Sequence, residues 1–181
     1  SARIMARSLN CEKGPTPTPC GECQSCKDLV ANGPGSLDVI ELDAATHGLV
    51  DDARDLRDKA FFAPVQSKYK IYIIDEAHQL GPGAANALLK VVEEPPAHVI
   101  FIFATTEPEK LISTIRSRTH HYPFRLVPPG TLATHLEKVC ESEGVKVAKG
   151  VIPLVVRASG GSVRDALSVL GQLLAGAGKD G

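Results

Sequence analysis

Tryptophan is absent from this chain, and aromatic residues make up only 4% of it. That scarcity argues against recognition by stacking bases on a row of rings. No charge of one sign dominates either, since 20 basic and 21 acidic residues leave a net charge of −1. Without a global basic field, any contact with nucleic acid must come from a local patch. No apolar run reaches the length of a membrane span, and no signal peptide opens the sequence. Cysteines are few, and four of the five crowd between Cys11 and Cys26. A secreted disulfide framework would spread them along the chain, so a reducing cytoplasm is the expected setting. Also missing is a phosphate-binding loop of the form Gly-x4-Gly-Lys-Ser/Thr. Gly176-Ala-Gly-Lys179 imitates its end, but Leu173 replaces the first glycine and Asp180 the hydroxyl.

What is present suffices for a substantial core: 181 residues, 43% of them hydrophobic. That length fits one domain, or one with a small second. Residues 1–10 read as a helix with Ile4, Met5 and Leu9 on one face. Leu37–Leu42, Lys70–Ile74 and Val99–Ala104 read as strands, with His120–Phe124 as a final one. Between them, Val50–Phe62 is patterned as an amphipathic helix with Val50, Ala53, Leu56 and Ala60 inward, and Pro64 stops it. Gly83–Glu93 and Leu111–Arg116 read as further helices. Short apolar strands alternating with helices imply a parallel sheet with right-handed crossovers. Pro128-Pro129 marks a boundary, beyond which three helices are expected at roughly 129–143, 149–158 and 162–175. The expected division is a core at 1–127, a helical domain at 128–176 and a frayed tail at 177–181.

Ile71-Tyr-Ile-Ile-Asp-Glu-Ala-His78 carries the most chemistry. Its apolar run suits a strand buried on both faces, which sets Asp75 and Glu76 at the C-terminal end, where open α/β sheets place their ligands. An adjacent acid pair there is the magnesium-holding and water-activating end of an ATPase, the Walker B element. A solvated acidic turn is the plainer alternative. Asp75 would hold magnesium through water and neutralise developing phosphate charge, and Glu76 would orient and polarise the attacking water. His78 is either a hydrogen-bonding neighbour or simply the first residue of a helix. Val99-Ile-Phe-Ile-Phe-Ala-Thr-Thr106 ends a second buried strand in two hydroxyls, which can bond water or phosphate or cap the turn before Pro108. Arg118 can serve a neighbouring subunit as an arginine finger or lie on the surface. Ser162 and Asp165 form a capping box around Arg164, in a first helical turn that favours an anion.

The cysteine spacing is Cys11-x8-Cys20-x2-Cys23-x2-Cys26. Two x2 spacings bring three thiolates to a point, and a loop stiffened by three prolines returns Cys11 to it. Tetrahedral zinc in a structural role fits best, with an iron–sulfur cluster and disulfides as alternatives. Cys140, on an apolar helix face, reads as a buried thiol.

Together these residues resemble the gamma/tau family of bacterial DNA polymerase III, the AAA+ ATPases of the sliding-clamp loader. The carriers are the four-cysteine module, Ile74-Asp-Glu-Ala-His78, Asn86-Ala-Leu-Leu-Lys90 with Glu93-Glu-Pro-Pro96, Ala104-Thr-Thr106, Ser117-Arg118 and Gly161-Ser-Val-Arg-Asp165. They span nearly the whole chain. The resemblance implies an α/β fold: an AAA+ P-loop-type parallel sheet with helices on both faces and a zinc-module insert at 11–26, then an all-helical lid. It implies Walker B roles for Asp75 and Glu76, sensor 1 for Thr106, an arginine finger in trans for Arg118 and sensor 2 for Arg164. Thr119 stands where the family usually has cysteine. Lys90 is the leading candidate for a DNA-phosphate contact, with Arg54 and Arg57 behind it; a solvated helix face is the alternative for all three. ATP and magnesium follow as ligands of the intact protein. Implied partners are the delta and delta prime subunits, further gamma/tau copies, the sliding clamp, primed DNA and the polymerase alpha subunit. The expected location is cytoplasmic and nucleoid-associated. The resemblance also implies a segment that begins just after the family's phosphate loop and lacks its collar, so ATP binding by these 181 residues alone is expected to be weak or absent. A non-hydrolysing structural subunit of the same fold is the competing reading.

Overall fold

The computed structural model describes residues 1–47 and 50–176. They fall into two compact units that divide between His121 and Tyr122. The frayed tail expected at 177–181 lies outside the described residues.

The first unit is built on three parallel strands in the order β1 (Val39–Asp43), β2 (Lys70–Asp75), β3 (Val99–Phe103). Their register pairs Val39 with Ile71, Asp43 with Asp75, and Lys70 with Val99. The central strand explains its own composition. Alternate side chains leave opposite faces of a strand, and both faces of β2 are covered. Tyr72 and Ile74 join a core with Leu56, Leu88 and Ile115. That core is formed with α4 (Val50–Ala60), α5 (Pro82–Glu93) and α6 (Ser113–Arg116). Ile71 and Ile73 join a second core with Ala6, Leu29 and Val39. It sits under α1 (Ala2–Asn10) and the end of α2 (Gln24–Asp28). A short α3 (Ala44–His47) follows β1 directly. The sheet thus carries helices on both faces.

Three expectations fail in instructive ways. Ile4 and Met5 are 69% and 44% exposed, and α1 turns Ala6, with Ala2 and Leu9, to the sheet instead. Small residues let the helix backbone approach the strands, and the spacing of the bulky residues did not reveal that stripe. Val50 is similarly half-exposed, leaving Ala53, Leu56 and Ala60 as the inward face of α4. The strand expected at His120–Phe124 does not form, because residues 120–128 carry no regular structure. Pro123 has no ladder donor. Tyr122, Phe124 and Leu126 are all more than 60% exposed, so no core face rewards an extended register there.

Two buried polar side chains stand in for missing backbone pairing. The amide of Asn10 donates to the Tyr69 carbonyl and accepts from the Tyr69 N–H, each at 2.9 Å. The carboxylate of Asp38 accepts from Val65, Gln66 and Ser67 N–H groups at 2.6, 2.8 and 2.7 Å.

The second unit holds α7 (Pro129–Ser142), α8 (Val151–Ser159) and α9 (Val163–Gly176). Leu132, Leu136, Cys140, Val155, Ala166 and Leu170 fill its core, so Cys140 is the buried thiol its helix face implied. Gly160 and Gly161 end α8 at φ +57° and +92°. A Cβ on Gly161 would come within 3.0 Å of Leu126 Cβ. Ser162 Oγ accepts the Asp165 N–H at 3.2 Å, but the Ser162 N–H donates to the Ser159 carbonyl. Only half of the expected capping box therefore closes. Among the described residues, no helix is long and apolar enough to cross a membrane.

Candidate nucleotide site and cysteine centre

Asp75 ends β2 with its side chain exposed, and its Oδ1 accepts the Glu76 N–H at 3.0 Å. Glu76 adopts φ 47°, ψ 42°, the left-handed region. A residue with a Cβ occupies that region at a cost of roughly 1–2 kcal/mol, which surrounding bonds must offset. Those bonds run to the tip of β3. Ala77 N–H donates to the Ala104 carbonyl, and Ala104 N–H to the Ile74 carbonyl, both at 2.9 Å. The turn continues as a 3₁₀ segment, Ala77–Gln79.

His78 lies under this turn and is 8% exposed. Its Nδ1 is 2.8 Å from Thr105 Oγ1 and 3.5 Å from Glu76 Oε2. Its Nε2 is 3.3 Å from Glu107 Oε2. Thr105 Oγ1 also accepts the Glu107 N–H at 3.0 Å. A hydrogen bond to Lys110 and its nearby charge hold the Glu107 carboxyl below the usual carboxylate range. Of the two hydroxyls at the β3 tip, Thr105 is therefore tied into the protein, while Thr106 is exposed. The roles of Thr105 and Glu107 were not legible in the sequence, because they depend on a contact across two strands. The Thr-Thr pair was the only local signal.

Asp75, Glu76 and Thr106 thus stand at the C-terminal ends of neighbouring strands. Arg118 follows α6, where its Nη2 meets Glu93 Oε1 at 2.9 Å and its Nη1 donates to the Thr114 carbonyl at 2.9 Å. Arg164 is exposed in the first turn of α9, in the second unit. Of the DNA-contact candidates, Arg54 pairs with Asp51 at 3.1 Å and Arg57 with Asp58 at 2.7 Å. Lys90 is exposed on α5 and makes no ion pair among the described residues.

The cysteine centre gathers around α2. Cys11 follows α1, Cys23 is the N-cap of α2 and Cys26 lies inside it. The four Sγ atoms lie within 4.8 Å of one another. A tetrahedral ion with bonds of ~2.3 Å needs sulfurs about 3.8 Å apart, so a small contraction would seat one. Backbone N–H groups already point at the sulfurs: Cys20 N at Cys11 Sγ, 3.4 Å, and Cys23 N at Cys20 Sγ, 3.3 Å. N–H donation from Cys23 and Glu22 lowers the Cys20 thiol to about 6. Burial pushes the Cys26 thiol up to about 11. Gly14 lets the proline loop fold back, since a Cβ there would lie 2.5 Å from the Ser8 carbonyl oxygen. The residues present can hold a metal ion.

A parallel sheet with helices on both faces and an acid pair at its tip, followed by a helical unit, is the architecture of the AAA+ fold. The Thermotoga maritima RuvB Holliday junction branch migration motor shares this fold, with a TM-score of 0.60 at 16% identity over 75% of this chain and 44% of that one. A gamma subunit-related protein of DNA polymerase III from the same organism matches at 27% identity and a TM-score of 0.51, over 65% of this chain and 41% of that one. Residues 1–128 match the family model described as DNA polymerase III, delta subunit, and residues 131–179 the clamp loader subunit ATPase lid domain. The DNA polymerase III subunit gamma/tau of Mycobacterium tuberculosis is 67% identical over 98% of this chain, and the subunit tau of Bacillus subtilis 47% over 96%. The chain belongs to the DNA polymerase III gamma/tau family of clamp-loader subunits. It spans 31% of the length of both relatives.

Proposed function

We propose that these residues are the catalytic end and lid of an ATP-driven loader that opens a sliding clamp and places it on primed DNA. The observation that carries this reading is the Asp75–Glu76 pair at the tip of β2, with Glu76 held left-handed beside the hydroxyl-bearing tip of β3. Asp75 would hold magnesium, which neutralises charge on the phosphates when bound. Glu76 would orient the attacking water. Thr106 and Arg164 would read the γ-phosphate, and Arg118, released from Glu93, would act on a neighbouring subunit's nucleotide. The metal of the cysteine centre is proposed to be structural zinc. Lys90, which makes no ion pair among the described residues, would meet a DNA phosphate; Arg54 and Arg57 are already paired on their own helix. The partners would be the delta and delta prime subunits, further gamma/tau copies, the clamp and the polymerase alpha subunit, in the cytoplasm.

The test is ATP turnover by the full-length protein with clamp and primed DNA. Turnover is expected to rise when both are added, and Glu76→Gln to lower it about a hundredfold, as loss of a general base does. In the same assay Lys90→Ala should weaken stimulation by DNA and flatten its salt dependence. A full-length protein that binds its partners but never hydrolyses ATP would establish the structural-subunit reading instead.

A further inference from the structure

We propose that His78 is a positioning residue: it locks the tip of β3 to the turn that carries Glu76 and so sets where the Glu76 carboxylate points. The inference rests on the reading of Glu76 as the group that orients water, and it adds a residue to that machinery.

The geometry gives His78 three neighbours and little solvent. The ring is 8% exposed and reaches Thr105 on one side and Glu107 on the other, with Glu76 above Nδ1. The hydrogen-bonding pattern assigns the proton. Thr105 Oγ1 already accepts the Glu107 N–H, so its own hydrogen is free to be donated. Thr105 can therefore donate to Nδ1, and Nε2 stands 3.3 Å from Glu107 Oε2, where the carboxylate favours a proton on that nitrogen. Glu107 is itself anchored by Lys110 at 2.5 Å. The chain Lys110–Glu107–His78–Thr105 therefore fixes the ring from both ends.

Glu76 is left out of that chain, and this gives the arrangement its use. The lone pair on Nδ1 is engaged by Thr105, and Glu76 Oε2 stands 3.5 Å away, beyond a good hydrogen bond. The ring thus supports the Glu76 side chain without capturing it, and the carboxylate keeps its acceptor capacity for water. The backbone repeats the same link, since Ala77 N–H bonds the Ala104 carbonyl. A shift of the β3 tip, such as one caused by a ligand at Thr106, would pass through Thr105 and His78 to Glu76.

The test uses five variants of the full-length protein, with ATP turnover and nucleotide affinity measured separately. His78→Ala is expected to lower kcat about ten- to a hundredfold, the usual range when a partner behind a functional group is lost. KM for ATP should move less than about twofold, because the interaction matters after binding. Thr105→Val, which keeps the shape and removes the hydroxyl, should reproduce the loss. The double variant should be no slower than the worse single one, because both break the same link. His78→Asn, which can still bond Thr105, should recover much of the rate. A folded His78→Ala protein with unchanged kcat would overturn the proposal, as would losses that multiply in the double variant. If His78→Ala fails to fold, Thr105→Val decides alone: a wild-type rate overturns the proposal and a matching loss supports it. Glu76→Gln separates the two levels. Wild-type turnover in Glu76→Gln would defeat the parent reading itself, whereas silence in Glu76→Gln beside full activity in His78→Ala would defeat only this inference.

Discussion

Removing the proposed metal of the cysteine centre with a chelator is expected to unfold residues 11–26 while leaving β2 intact. The reason is what that segment lacks. From 11 to 26 the buried side chains are Cys11, Cys23 and Cys26, and the cluster they form contains no aliphatic or aromatic residue. Nothing else in the segment buries enough apolar surface to offset the entropy of ordering it. Binding of the proposed metal would supply that free energy, which in small zinc modules is worth roughly 10–16 kcal/mol at neutral pH. The ends are anchored independently, by the Asn10 amide on Tyr69 and by Leu29 in the core beneath α1. Hydrogen exchange should therefore show protection lost between Cys11 and Cys26 but retained at Ile71–Ile74. Cys26→Ser should have the same effect. Full protection in metal-free protein would refute a folding role for the ion.

Asp38→Ala is expected to destabilise the first unit by about 3–5 kcal/mol, the scale for stripping a buried, multiply bonded charge. That is a large part of the ~5–15 kcal/mol a domain holds in reserve. Asp38 is 1% exposed, and its carboxylate gathers three successive N–H groups of the loop leading to β2. Alanine would leave all three donors without a partner. The effect has a pH signature. Burial pushes the carboxyl up, but the three N–H donors outweigh it and hold the group below its ordinary value. A carboxylate with a depressed folded pKa contributes stability above its unfolded pKa of about 3.9 and loses it as pH falls through the folded value. The gap between wild type and Asp38→Ala in urea melts should therefore be full at pH 7 and narrow as acid protonates the carboxyl. A variant within about 0.5 kcal/mol of wild type at pH 7 would show that the loop finds other partners.

The elements that were legible in the sequence are those whose signal is local. Ile71–Ile74 is buried on both faces, so an unbroken apolar run was sufficient to place the central strand. The helices of the second unit carried their period and their punctuation, with Pro129 at one start and Gly160 at one end. Spacing alone brought the four cysteines together. Other features depend on contacts between distant segments. Asp38 is 27 residues from its first partner, Val65, and Asn10 is 59 from Tyr69. No local pattern distinguishes such a carboxylate or amide from a solvated one. His78 and Thr105 are 27 residues apart and meet only because β2 and β3 are neighbours. The inward face of α1 was missed because close packing there uses Ala6 rather than a large side chain.

The reading of this chain as half of a catalytic site depends on polar groups from both units meeting at one triphosphate. A structure of the full-length protein with magnesium and a non-hydrolysable ATP analogue tests that most directly. The account predicts Asp75 at the metal, directly or through water, with Thr106 and Arg164 both within about 3 Å of the γ-phosphate oxygens. A bound triphosphate that none of these three side chains approaches would contradict it.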